Sequence, residues 1–366
     1  MKVTFPLMGN SYIAFKALLK GLDLEVILPP PITQRTLALG SKYAPECACL
    51  PLKTNVGNFI EALELGADTI VMAGGWGPCR FGYYAQIQRG ILEDLGYSFN
   101  MVVFEPPDTG FDDLIEQARF LGGGIRFKEA LSLFKFAWNK LIACEKLEKA
   151  IEFYLPRSEE KEQALAVYRQ GLQAIDMAES REEVHFCADQ SIQRLKNLSC
   201  RNDIQPLKIG LLGEIFTILE PGTNYYICET LGLLGVEVKR SIYLTDWIND
   251  HLLAGLVKKS RRKKIIKRAR PYINYWVGGH GRETVGYAVE YARRGYDGLI
   301  QIGPLTCMPE IVAQTVLPRV SEDKGIPVMT LWFDEQSSAA GIQTRLEAFI
   351  DMLQRQKSSY SREVEA

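Results

Sequence analysis

Histidine is scarce in this chain. His185, His251 and His280 are the only three in 366 residues, too scattered for a histidine-rich metal site. There is no HExxH and no zinc-ribbon pair of CxxC motifs. Walker GxxxxGK[ST] is missing too, and neither glycine cluster, Gly74-Gly75-Trp76-Gly77 or Gly278-Gly279-His280-Gly281, completes GxGxxG. No run approaches the roughly 18 apolar residues of a membrane span. Charge of one sign is not in excess: Lys+Arg 43 against Asp+Glu 44 leaves −1, which gives no nucleic-acid or membrane signature. The eight cysteines lack the short regular spacing of a secreted disulfide scaffold. The opening MKVTFPLMGN reads straight into a strand without a cleavable signal, so a cytoplasmic location with reduced thiols is expected.

What is present is a repeat. GADTIVMAGGWGPCRFGYY (Gly66 to Tyr84) reads as a strand, a glycine-rich turn, Cys79 and a helix, and GYDGLIQIGPLTCMPEIV (Gly295 to Val312) repeats that plan with Cys307. Asp68 stands 36 positions before Phe104, and Asp297 36 before Phe333. The second strands, MVVFEP and VMTLWFDE, also read alike. The expectation is an α/β protein with two Rossmann-like parallel-sheet domains and a helical insert. Its divisions are 1–110 (α/β), 111–204 (helical), 205–357 (α/β) and a flexible tail at 358–366. Open sheets of this class bind ligands at the carboxyl ends of their strands, where both cysteines fall.

The strands expected are 2–7, 24–28, 69–73, 99–105, 236–243, 298–302 and 327–333, with a strand and a glycine turn within 206–216 and helices including 11–22, 52–65, 80–95, 224–234, 282–294, 308–322 and 341–356. From 112 to 202 strand patterns give way to helical runs rich in Glu, Lys, Leu and Ala.

Singly, Cys79 or Cys307 would read as a small residue plugging a turn. As a matched pair at helix N-termini, where free N–H groups favour a thiolate, they read as ligands. Cys49 lies in a proline-bounded loop 30 residues before Cys79. Cys47, two residues earlier, stands as a fourth ligand or a bystander. Cys144 shares an apolar helix face with Leu141, Leu147 and Ile151 and reads as core. Cys187 and Cys228 read as structural, and Cys200 is uninformative. Arg80 either steers an anion or is a surface arginine. His280 is a loop histidine with a proton-transfer role as the rival reading. Lys258 to Arg270, nine basic residues in thirteen, is a solvated helix face or a docking site for an acidic partner or the phosphates of CoA. A nucleic-acid reading lacks stacking aromatics and a basic balance.

CLPLK (Cys49 to Lys53), GPCRFGYY (Gly77 to Tyr84), GPLTCMPEI (Gly303 to Ile311) and QTRLEAFIDML (Gln343 to Leu353) together resemble the 2-hydroxyacyl-CoA dehydratase family. That family includes the benzoyl-CoA reductase subunits and the double-cubane cluster proteins. Within it the chain looks most like the CoA-enzyme activase-related branch. The resemblance implies two Rossmann-like domains and an iron–sulfur cluster, [4Fe–4S] rather than double-cubane. Its ligands by motif are Cys49, Cys79 and Cys307, with one iron left open; a fourth ligand at Cys47 would close it. It also implies an ATP-hydrolysing iron–sulfur activator that delivers one low-potential electron, and a small-molecule substrate such as an acyl-CoA. Such proteins dehydrate or reduce their substrate, and a homo- or hetero-dimer is expected. The competing readings are a non-enzymatic cluster carrier and a cluster-free α/β ligand-binding protein.

Overall fold

The structure is a computed structural model that describes residues 1–75, 77–105, 112–200, 205–251, 255 and 257–365, with side chains at 112–115, 118 and 359–365 left aside. Trp76 and the expected domain boundaries at 110/111 and 204/205 lie outside the described residues.

The chain begins with β1 (Lys2–Thr4), α1 (Tyr12–Gly21), β2 (Glu25–Val26), α2 (Gln34–Tyr43), α3 (Leu50–Glu64) and β3 (Thr69–Ala73). A 3-10 turn (Arg80–Tyr83), α4 (Tyr84–Asp94) and β4 (Asn100–Phe104) follow. Next come the long helices α5 (Asp112–Gly122), α6 (Phe127–Tyr154), α7 (Lys161–Met177) and α8 (Arg181–Lys196). A second α/β succession is built from β5 (Leu207–Gly213), α9 (Ile215–Leu219), α10 (Pro221–Asn224), α11 (Ile227–Leu233), β6 (Val236–Arg240), α12 (Leu244–His251) and α13 (Arg262–Ala269). It closes with α14 (Gly281–Arg293), β7 (Gly298–Pro304), α15 (Met308–Lys324), β8 (Val328–Phe333) and α16 (Ala339–Glu365). Of the tail expected at 358–366, the backbone is helical to Glu365 and residue 366 lies outside the described residues.

Both sheets are four-stranded and parallel throughout, ordered β2-β1-β3-β4 and β6-β5-β7-β8. The α/β expectation with two parallel sheets therefore holds. The orders are the same when each sheet is counted from its own first strand, and one polar clasp recurs in both. The Lys2 N–H donates to Asp68 Oδ1 (2.9 Å), and the Lys208 N–H to Asp297 Oδ2 (2.7 Å). Two residues before each aspartate a left-handed glycine ends the preceding helix, Gly66 (φ +95°) or Gly295 (φ +71°). β7 is buried at all seven positions, as a parallel strand covered on both faces must be.

Contacts divide the chain into two compact units, one of residues 1–144 and 172–188, the other of 145–171 and 189–366. The helical segment is thus shared out between them. In the second unit, buried Arg240 at the end of β6 pairs with Glu148 and Glu152 of α6, and Tyr243 donates to Glu152 (2.7 Å). That network fastens the later half of α6 to the sheet.

Several boundaries differ from expectation for local reasons. The helix expected over 224–234 is split, because Tyr225 and Tyr226 both take left-handed φ (+55° and +56°). The strand expected to reach 243 ends at Arg240, although the Ser241 N–H still donates to Leu211 O (2.9 Å). β1 stops at Thr4, just before Phe5-Pro6.

Candidate functional site

Cys49, Cys79 and Cys307 occupy one local position: each is the N-cap residue of a helix or helical turn. Their backbones nearly coincide, with φ −71°, −70° and −70° and extended ψ. Proline at the second helical position follows both Cys49 (Pro51) and Cys307 (Pro309), where a missing N–H costs no helical bond. Left-handed residues also precede the two repeat cysteines, Gly77 (φ +95°) before Cys79 and Thr306 (φ +70°) before Cys307. A β-branched residue in that region is strained, and such strain concentrates at functional turns.

In the first unit the Cys49 loop and the Cys79 turn are joined. Cys49 Sγ hydrogen-bonds the buried Tyr84 hydroxyl, and the Phe81 ring meets that of Tyr84 edge-on at 5.2 Å. The exposed Arg80 donates to the Cys47 carbonyl (2.9 Å), so this arginine holds the loop that carries Cys47 and Cys49 against the turn that carries Cys79. Cys47 is exposed, whereas Cys49 and Cys79 are half-buried. Gly75 is required here, because a Cβ would come within 2.8 Å of the Phe81 ring.

Cys307 belongs to the second unit and is buried. Around its helix lies a set of buried polar groups that motif reading passed over. Glu310, three residues on, is fully enclosed; Thr284 donates to its Oε1 (3.0 Å) and Gln301 to its Oε2 (2.9 Å). The Thr330 hydroxyl in turn donates to Gln301 Oε1 (3.1 Å), which fixes the amide's orientation. Burial pushes the Glu310 carboxyl up to about 7 against those two hydrogen bonds, with help from the charges of Glu214 and Glu283. Burial likewise raises Glu214, whose carboxylate accepts from the Phe216 and Thr217 N–H groups (2.9 and 2.8 Å). The only sequence signal for Glu310 was its place in the first turn after Cys307.

His280 is the N-cap residue of α14. Burial pushes its imidazole down to about 4, so it is neutral at pH 7. Its ring meets that of His251 edge-on with centroids 6.3 Å apart, while His251 donates from Nδ1 to the Trp247 carbonyl (3.0 Å).

Of the remaining cysteines, Cys144 is buried as expected, and Cys187, Cys200 and Cys228 are half-buried. Leu141, Leu147 and Ile151, on the same face of α6, are buried like Cys144. Burial pushes the Cys228 thiol up to about 12, and Cys200 sits in an isolated bridge with Ser158. The basic run is partly consumed within its own unit. Arg262 pairs with Glu283 (2.9 Å), Lys264 and Arg268 with Glu290 (3.0 and 3.2 Å), and Lys258 with Asp246 (3.0 Å).

Among the described residues no group of three or more His, Cys, Asp or Glu side chains is gathered in a form that could hold a metal ion. No described helix is long and apolar enough to cross a membrane. No family model matches the chain, and no curated protein matches it.

Proposed function

We propose that this chain is an iron–sulfur protein of the 2-hydroxyacyl-CoA dehydratase type, with Cys49, Cys79 and Cys307 holding one cluster. The observation that carries the reading is the related placement of the three thiols in two units with the same strand order: Cys49 and Cys307 each stand at the N-cap of an α-helix, and Cys79 at that of a four-residue 3-10 turn. The donor set fits the group. Soft thiolates suit iron–sulfur over hard cations, and a helix N-terminus favours the charged form of a thiol. When bound, a [4Fe–4S] group would supply low-potential electron storage and, at an iron left open by three thiolates, a Lewis-acid position.

The protein's own residues do the rest. Arg80 keeps the Cys49 loop closed on the Cys79 turn, and Tyr84 holds the Cys49 sulfur by its hydroxyl. Cys47, exposed on that loop, stands as an alternative fourth ligand. Glu310 carries a proton near neutral pH and lies one helical turn from Cys307. Electrons come, in this proposal, from an ATP-hydrolysing activator in the cytoplasm, and the substrate is a small reducible or dehydratable molecule of the acyl-CoA kind.

Anaerobic purification followed by iron and acid-labile sulfide analysis tests the reading. The expected result is about four of each per chain for a [4Fe–4S] group. Cys79→Ser and Cys307→Ser should each remove nearly all of the iron although they lie in different units. An iron-free wild type, or variants that each lose only a part, would overturn it.

A further inference from the structure

The two units repeat more than a strand and a cysteine. In the first, α2 packs on α3, α3 leads through a left-handed glycine and an aspartate into β3, and the turn after β3 ends at Cys79. In the second, α13 packs on α14, α14 leads through a left-handed glycine and an aspartate into β7, and the turn after β7 ends at Cys307. Close helix packing is built the same way in both. A Cβ on Gly57 of α3 would lie 2.0 Å from the Thr36 carbonyl oxygen of α2, and one on Gly286 of α14 would lie 2.3 Å from the Ile265 carbonyl oxygen of α13. Under this correspondence α3 matches α14, and each is opened by an N-cap residue, eight positions before the shared glycine in α3 and six before it in α14. Those residues are Cys49 and His280.

From this we infer that His280 is the ligand the second unit supplies beside Cys307, taking the iron position that three thiolates alone would leave open, so that the group would serve electron transfer and would act as a Lewis acid only where the imidazole is displaced. The inference rests on the cluster reading above. Two observations within the second unit support it. The residues flanking His280 pack directly on the start of the Cys307 helix. A Cβ on Gly279 would lie 3.1 Å from Pro309 Cγ, and one on Gly281 would lie 2.3 Å from the Pro309 carbonyl oxygen. This resembles the first unit, where Arg80 beside Cys79 reaches the Cys47 carbonyl.

The second observation is Glu283, one helical turn after His280. It is 6% exposed, and Arg262 donates to its Oε1 (2.9 Å), yet its buried Oε2 has no hydrogen-bond partner among the described residues. A metal-bound imidazole almost always gives its second ring N–H to a carboxylate, which fixes the tautomer and raises its donor strength. Glu283 offers that acceptor.

Imidazole in place of thiolate makes a cluster less negative and raises its potential. Pulsed EPR on the reduced, anaerobically purified chain reads the ligand directly. Wild type should show a strongly coupled nitrogen whose frequency changes with [15N]histidine labelling. His280→Ala should abolish that coupling and His251→Ala should keep it. In His280→Cys the iron should be retained, the nitrogen signal lost and the midpoint potential lowered. A loaded wild type without a coupled nitrogen, or a coupling that survives His280→Ala, overturns the inference and leaves the cluster reading intact. An iron-free wild type overturns both.

Discussion

Glu310 and His280 respond to acid in opposite senses, although each owes its shift to burial. For Glu310 the folded carboxyl titrates near 7 against an ordinary 4.5, so between those values the folded protein holds a proton that the unfolded chain releases. Stability from this group is full below about 4.5 and is lost as pH rises through 7, by roughly 3 kcal/mol in all. For His280 the folded imidazole titrates near 4 against 6.5, so the unfolded chain binds the extra proton. Its contribution is present above 6.5 and is lost as pH falls toward 4. The two slopes oppose each other from about 4.5 to 6.5 and flatten the wild-type profile there. Glu310→Gln removes one of them. Urea unfolding at pH 8 should show the variant up to about 3 kcal/mol more stable than wild type, with no gain at pH 4.5. A gain of equal size at both pH values would mean that packing, not ionisation, was changed.

At the scale of helices, glycine sets how closely α2 packs on α3 and α13 on α14. Gly40 and Gly57 let α2 and α3 touch backbone to backbone, with hypothetical Cβ atoms 1.8 and 2.0 Å from carbonyl oxygens. Because a carbonyl cannot rotate away, Gly57→Ala must push α3 and its cap Cys49 outward, and the same holds for Gly286→Ala, α14 and His280. Each should cost about 3 kcal/mol in chemical denaturation, the upper range for overpacking. Gly90 in α4 has open space around its Cβ position, so Gly90→Ala should instead gain about 0.5–1 kcal/mol. Similar losses at all three sites would argue against close packing as the cause.

These helix pairs also mark where sequence reading stops. β3, β7 and the helices after them were legible, because apolar runs ending in Gly-Pro have few other uses. The N-cap place of Cys307 followed from the same kind of turn, whereas Cys79, expected to begin a helix over 80–95, opens a four-residue 3-10 turn and α4 starts only at Tyr84. A glycine inside a helix, however, reads only as a weak point until its neighbour is known. The Cys49–Tyr84 bond and the enclosure of Glu310 depend on contacts between segments distant in sequence, and periodicity carries no trace of them. Tyr225 and Tyr226 split a helix through backbone conformations that neither residue type announces.

For the whole chain, the duplication makes a statement about cooperativity. Each unit owns a four-stranded sheet and a core of its own, so each can unfold by itself. If, as proposed, thiolates from both units hold one group, it would bind only when both are folded, and its binding free energy would become folding free energy common to the two. Calorimetry on the chain stripped of iron under chelation should accordingly show two overlapping transitions. Anaerobic reloading with ferrous iron and sulfide should merge them into one at higher temperature. Cys307→Ser, reloaded in the same way, should stay at two transitions, since the second unit would have lost its thiolate. If the reloaded wild type kept two transitions and only the first unit's midpoint rose, the ligands would all belong to that unit. Cys47 would then replace Cys307 in the set.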